Sequence, residues 1–277
     1  MTARTVVFGG GGITGIAWML GVLTGLAERG VDLREADDVV GTSAGSVVGA
    51  QLATGVDLAE RYAAQLVDPA GESASALGRA TMLRLGLALV GRRDRVRARI
   101  GKVARHARTV PESERIAVIG RRLPVHEWPR RSLRITVVDA HDGEFRVLDR
   151  HGGIPLVEAV AASCAVPGVF PAVTTGGTRY MDGGVRSPAN ADLAAGSERV
   201  VVLAPIVRGL GPQAGVERQV ATLRAAGSRV VQVCPDAAAR DAIGRNVLDP
   251  ARRAGAARAG RAQAPGVTEA VDAVWNG

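Results

Sequence analysis

The sequence predicts an α/β fold with a mostly parallel central sheet covered on both faces. Three observations predict it. Short runs of β-branched residues alternate with helical periods along most of the chain. Several of those runs, Arg199-Val-Val-Val-Leu203 among them, are continuously apolar, as strands buried on both faces must be. A chain of 277 residues with 47% hydrophobic content can also fill a core of that size, which excludes disorder as its main state.

Taken in order, strands are expected at 5–8, 38–40, 133–138, 145–148, 178–181, 199–203 and 229–233. Between the first two, Ile16, Leu20, Leu23 and Ala27 mark one helical face that closes at Arg29-Gly30, a basic last turn followed by a terminating glycine. A shorter helix is expected over 46–54, ending at Gly55. From about 66 to 131 the alternation stops and helix follows helix with Arg-rich faces, which reads as an insertion into one domain spanning 1–277. From 250 to 277 a low-complexity Ala/Arg/Gly stretch is helix-prone, and a surface helix is expected there.

The net charge of +8 rests on 34 arginines and a single lysine, Lys102. Ten of these 35 cations lie between Arg79 and Arg108 against Asp94 alone, so the rest of the chain is close to neutral. An electrostatic partner therefore belongs at residues 79–108. Within them, 81–90 is apolar but for Arg84 and too short to span a bilayer. It suits either a lid lying on an anionic membrane surface or an ordinary solvated helix packed on the sheet. With 3% aromatics there is little on which bases could stack, and no nucleic acid is expected. Trp18, Trp128 and Trp275 read as packing residues.

Cys164 and Cys234 are too few for a disulfide framework and are not spaced as zinc ligands; Cys164 reads as a small buried residue. No metal and no cofactor is expected, calcium included. No long apolar run and no leader pattern precedes the first strand, so a cytoplasmic protein is expected.

Three motifs carry chemistry. Gly9-Gly10-Gly11-Gly12-Ile13-Thr14-Gly15 follows the first strand and opens the first helix, where free backbone N–H groups and the helix dipole favour negative charge. It also satisfies GxGxxG, a dinucleotide pattern that needs an acid at the end of the second strand, yet that strand ends Val39-Val40-Gly41. Gly41-Thr42-Ser43-Ala44-Gly45 is GxSxG at a strand-to-helix turn, the setting that lifts a nucleophilic Ser43 Oγ clear of a sheet; the alternative is a glycine-softened loop with a capping serine. An activated serine needs a base. The histidines are His106, His126, His141 and His151, with none in the 126 residues that follow, and Asp139 with His151 would complete a triad. Asp182-Gly183-Gly184 places an acid at a strand end, where it is either a desolvated base or an Asp-Gly hairpin turn.

Together and in this order, the three motifs resemble those of the patatin-like phospholipase family: an oxyanion loop, a nucleophile elbow and a catalytic-acid motif. The segment 162–171, Ala-Ser-Cys-Ala-Val-Pro-Gly-Val-Phe-Pro, is similar to the stretch that precedes the acid there. The likeness runs from about Thr5 to Leu203. It implies a three-layer α/β/α fold and a serine lipid acyl hydrolase of phospholipase or lysophospholipase type, working through a Ser-Asp dyad without histidine. Carried over, Ser43 is the nucleophile, Asp182 the base and the N–H groups of Gly10, Gly11 and Gly12 the oxyanion hole, with Gly15, Gly41, Gly45, Gly183 and Gly184 supporting them. The family's loop usually carries Arg or Lys just before its last glycine. Here that position is Thr14, so ester hydrolysis is implied more firmly than a phospholipid headgroup. The competing expectation is a catalytically silent scaffold that binds an anion or a membrane surface, the inner membrane face included, through the Arg-rich insertion.

Overall fold

The computed structural model describes residues 3–67, 79–89, 91–209, 211 and 213–277. One sheet organises them, with strands β1 (Arg4–Phe8), β2 (Asp38–Thr42), β3 (Ser132–Asp139), β4 (Phe145–Leu148), β5 (Val173–Thr175), β6 (Thr178–Asp182), β7 (Arg199–Leu203) and β8 (Arg229–Val233). Its order is β5-β6-β3-β2-β1-β7-β8, with β4 pairing β3 off that path. The pairs β3–β2, β2–β1, β1–β7 and β7–β8 are parallel; β4, β5 and β6 are added antiparallel. The chain leaves β1 toward β2 on one side and β7 toward β8 on the other, so the carboxyl ends of β1 and β7 border a topological switch, where such sheets open a crevice.

The central strands β1, β2 and β7 are buried from their second residue on, as their unbroken apolar runs require. All seven expected strands form; only the three-residue β5 was not anticipated, being too short to show an alternation.

β3 positions the site. Ile135 and Thr136 pair with both β2 and β4, and Val137 and Val138 pair with both β4 and β6. A strand has two edges, so β4 holds one while β2 and β6 share the other end to end. Thr42, the last residue of β2, lies opposite Thr136; Asp182, the last residue of β6, lies opposite the next residue, Val137.

Helix α1 (Gly12–Ala27) departs from the one-faced stripe expected of it, because Thr14 through Leu26 are all buried. It lies between the sheet and α10 (Arg253–Gln263), which with α11 (Pro265–Trp275) forms the tail. As expected of a helix at the surface, α10 turns Ala256, Ala257, Gly260 and Gln263 inward and keeps Arg258 and Arg261 exposed. Ala and Gly in α10 serve close packing: a Cβ added at Gly260 would sit 2.2 Å from Trp18 O, and one at Gly21 would sit 2.1 Å from Ala257 O. Trp18 Nε1 donates to Gln263 Oε1 at 3.0 Å, and Trp275 is fully buried.

The insertion holds α4 (Arg79–Ala88), α5 (Arg93–His106) and α6 (Glu112–Arg122), with α2 (Ala44–Ala53) and α3 (Leu58–Leu66) preceding it and α7 (Leu156–Ser163) following β4. Of the expected 66–131 segment, 68–78 and 90 lie outside the described residues. α5 buries Val96, Ile100 and Ala104 against Val138, Ala140 and Met181 on the antiparallel side of the sheet. Helices α8 (Val216–Ala225) and α9 (Ala237–Ile243) complete the cover. Among the described residues, no helix is long and apolar enough to cross a membrane.

Candidate active site

Ser43 sits between β2 and α2 at φ 53°, ψ −120°, a backbone conformation that costs a non-glycine residue on the order of 1–3 kcal/mol. Its neighbours hold it there. The Ser43 N–H donates to Ser163 Oγ at 2.9 Å, Ser163 Oγ donates to Thr136 O at 2.8 Å, and Ser46 Oγ donates to Ser43 O at 2.7 Å. The flanking glycines are required by contact: a Cβ at Gly45 would fall 2.0 Å from Phe8 O, and one at Gly41 would fall 2.6 Å from Ser46 Cα. A capping serine in a slack loop does not fit these constraints, and the Ser43 side chain makes no cap hydrogen bond to α2.

Asp182 ends β6 and is followed by a 3-10 turn over Gly183–Val185, so the hairpin alternative for Asp182-Gly183 is set aside. One carboxylate oxygen accepts the Gly184 N–H at 2.7 Å. Burial raises the Asp182 pKa to about 6, against hydrogen bonding from Ser43 and Gly184 and the charge of Arg115, which pull it down. Ser43 and Asp182 are each less than a tenth exposed.

Of the three N–H groups expected to face an oxyanion, that of Gly10 donates to Pro188 O at 2.7 Å, which corrects its expected role. Gly10 matters instead for its missing side chain, since a Cβ there would lie 3.5 Å from Ser43 Cβ. The N–H groups of Gly11 and Gly12 donate to no backbone carbonyl among the described residues. A Cβ at Gly11 would meet Pro205 Cβ at 2.5 Å, and Gly12 lies at φ 60° with Val247 O close behind it. Thr14 is fully buried, and its N–H and Oγ1 both donate to Val247 O, at 3.1 and 3.3 Å. Gly15 packs on Pro205.

These groups open into an apolar pocket of about 290 Å³, lined by Gly10, Gly11, Gly12, Ser43, Asp182 and Gly184 at its floor and by Leu85, Leu89, Ile100 and Leu248 above. An apolar wall with a few convergent polar groups suits an acyl chain. It does not suit a dinucleotide, for which β2 would have to end in an acid. No histidine lines it. His106, His141 and His151 are exposed, and the Asp139 carboxylate accepts the His141 N–H rather than meeting His151. Cys164 is buried beside Ser46, and desolvation drives its thiol pKa up to about 11, the behaviour of a packing residue.

Sequence reasoning missed a polar network beneath the elbow. Asn190, fully buried at φ 52°, donates through Nδ2 to Thr42 Oγ1, Gly183 O and Ser187 O, while Thr136 Oγ1 donates to Thr42 Oγ1. It ties the residue before Ser43 to the residue after Asp182. An asparagine eight positions beyond an acid carries no signal that separates it from a turn residue.

A family model described as patatin-like phospholipase matches residues 6–195. No curated protein matches. Among solved structures, the chain is similar to VipD from Legionella pneumophila at 15% identity and a TM-score of 0.48, over 97% of this chain and 67% of that one. It is also similar to the type III effector protein ExoU at 18% identity and a TM-score of 0.44, over 98% of this chain and 53% of that one, and so spans about half of that protein's length.

Proposed function

Since the chain belongs to the patatin-like phospholipase family, we propose that it is a lipid acyl hydrolase whose Ser43 and Asp182 form the reacting dyad of one hydrolase domain. The observation that carries the assignment is the register on β3, which abuts the end of β2 and the end of β6 and so seats a nucleophile beside a desolvated carboxylate in an apolar pocket.

The chemistry follows from that placement. The Asp182 carboxylate removes the Ser43 Oγ proton as Oγ bonds to the acyl carbonyl carbon, and the N–H groups of Gly11 and Gly12 stabilise the resulting oxyanion. Collapse breaks the ester C–O bond, and Asp182 returns its proton to the departing alcohol. Water then gives a proton to Asp182 and attacks the acyl-Ser43 carbonyl. The second tetrahedral species expels Ser43, which regains the proton, and the acid leaves. A carboxylate with an ordinary pKa would be a weak base for a hydroxyl; burial makes Asp182 stronger.

α5 packs on the sheet, whereas α4 and the residue after it face two ways: Leu85 and Leu89 line the acyl pocket, and Leu83 and Leu87, 67% and 66% exposed, face outward. Arg99 and Lys102 of α5 flank Leu87. An apolar ridge beside cations fits peripheral adsorption to an anionic bilayer, with α4 as the lid through which the lipid enters.

Hydrolysis of a p-nitrophenyl ester series by the wild type, Ser43→Ala and Asp182→Asn tests the dyad. Both substitutions are expected to lower kcat by about a thousandfold or more, and a fluorophosphonate is expected to label Ser43. A folded wild type that is inactive and unlabelled would favour the silent scaffold instead.

A further inference from the structure

A second cavity, of about 420 Å³, lies beside the acyl pocket and is lined by arginine rather than leucine. Five guanidinium side chains from three helices border it: Arg61 of α3, Arg115, Arg121 and Arg122 of α6, and Arg253 of α10. The carboxylate among its lining residues is Glu114, which is exposed. Arg61 also lies 3.7 Å from Glu60, and the convergence of guanidinium groups on one concave space gives it a positive potential that favours an anion there.

Several details mark a built site. Arg115 is 7% exposed, and its guanidinium lies flat on the Phe170 ring at 3.7 Å, which fixes its direction before any ligand arrives. Gln51, 3% exposed, donates through Nε2 to Arg122 O at 2.8 Å, yet its Oε1 is buried with no hydrogen-bond partner among the described residues. The Nε of Arg61 is likewise buried without an acceptor. A space that offers several guanidinium donors and one unmatched amide acceptor calls for a ligand with anionic oxygens and at least one hydroxyl.

The wall between the two cavities is thin. Gly12 lines the acyl pocket and Ile13 the arginine cavity; Ser43 lines the first and Val47, one helical turn later, the second. Arg115 is also near enough for its charge to act on Asp182. We infer that this cavity binds a phosphate-bearing group, either free or as the headgroup of a lipid whose ester lies at Ser43. The headgroup source rests on the hydrolase reading above; binding itself does not. It would return to the protein, from α6 and its neighbours, the cation that the glycine loop lacks at Thr14.

The test has two arms. In the first, the Tm of the wild type and of the Arg61→Gln/Arg121→Gln double variant is followed against inorganic phosphate and sn-glycerol 3-phosphate, with chloride at matched ionic strength. These two arginines are only partly buried or exposed, and the wild-type titration stands without any variant. In the second arm, kcat/KM is measured on a short-chain phospholipid and on the diacylglycerol with the same acyl chains. A phosphate-dependent rise in Tm that the double variant loses, with about a tenfold fall in the phospholipid-to-diacylglycerol ratio, assigns the site to the headgroup. The same loss with an unchanged ratio assigns it to a free anion. No stabilisation of the wild type beyond that of chloride overturns the inference. Phosphate binding in a protein that cleaves neither lipid would leave the site standing and remove the hydrolase reading.

Discussion

In the proposed dyad, Asp182 is the residue whose protonation is expected to set both rate and stability. The carboxylate is the basic form, so kcat/KM on a soluble ester is expected to be level above about pH 7 and to fall about tenfold per pH unit well below 6. The stability effect has the opposite sign. The folded-state pKa of about 6 exceeds the ordinary 3.8, so the folded protein holds this proton more tightly than the unfolded chain does. That stabilisation is complete below about pH 4 and is lost as pH rises through 6, a difference on the order of 3 kcal/mol. Asp182→Asn, which stays neutral, is therefore expected to raise Tm relative to the wild type at pH 8 and to bring little change at pH 4. An equal change at both pH values would show that the buried charge is not the cause. Ser43 carries its own cost in its positive φ, which the hydrogen bonds to Ser163 and Ser46 offset.

Among the elements, the contact between α1 and α10 decides how closely the tail can approach the core. Gly260 and Gly255 lie on the same helix in opposite surroundings: a Cβ at Gly260 would meet the Trp18 carbonyl, whereas one at Gly255 would meet nothing within 4 Å. Gly260→Ala is expected to destabilise by about 2–3 kcal/mol through overpacking. Gly255→Ala is expected to stabilise by roughly 0.5–1 kcal/mol, because alanine is the better helix former. Chemical denaturation of the two variants reads both signs. A similar effect from the two substitutions would mean that helix propensity, not close packing, governs α10.

At the scale of the whole molecule, the proposed function has the sheet, α4 as a lid and the basic surface act together on a lipid that must leave a bilayer. α4 turns Leu83 and Leu87 outward, Leu87 beside Arg99 and Lys102, while Leu85 and the following Leu89 line the pocket over Ser43. Leu83→Asp/Leu87→Asp is expected to reduce co-sedimentation with phosphatidylglycerol vesicles at least tenfold. Its rate on a soluble p-nitrophenyl ester should fall far less. Binding that survives both the double substitution and replacement of the anionic lipid by phosphatidylcholine would remove α4 from the membrane-contact reading.

What the sequence determined by itself is the chemistry written in contiguous residues. Three glycine motifs, a serine at a strand-to-helix turn and an acid at a strand end declare themselves because each needs a missing Cβ or an unusual φ within a few positions of the chain. The strand set was legible for the same local reason. The tertiary structure alone decided that β3 sets the ends of β2 and β6 side by side, and that Gly10 spends its N–H on Pro188. It alone seated one face of the Ala/Arg/Gly tail against α1. The same holds for Ser163, 120 residues from the Ser43 N–H it accepts, and for the arginines of α3, α6 and α10 around one cavity. Those facts depend on contacts between distant segments, which leave no period or spacing along the chain, and one sequence records only what its neighbouring residues require of each other.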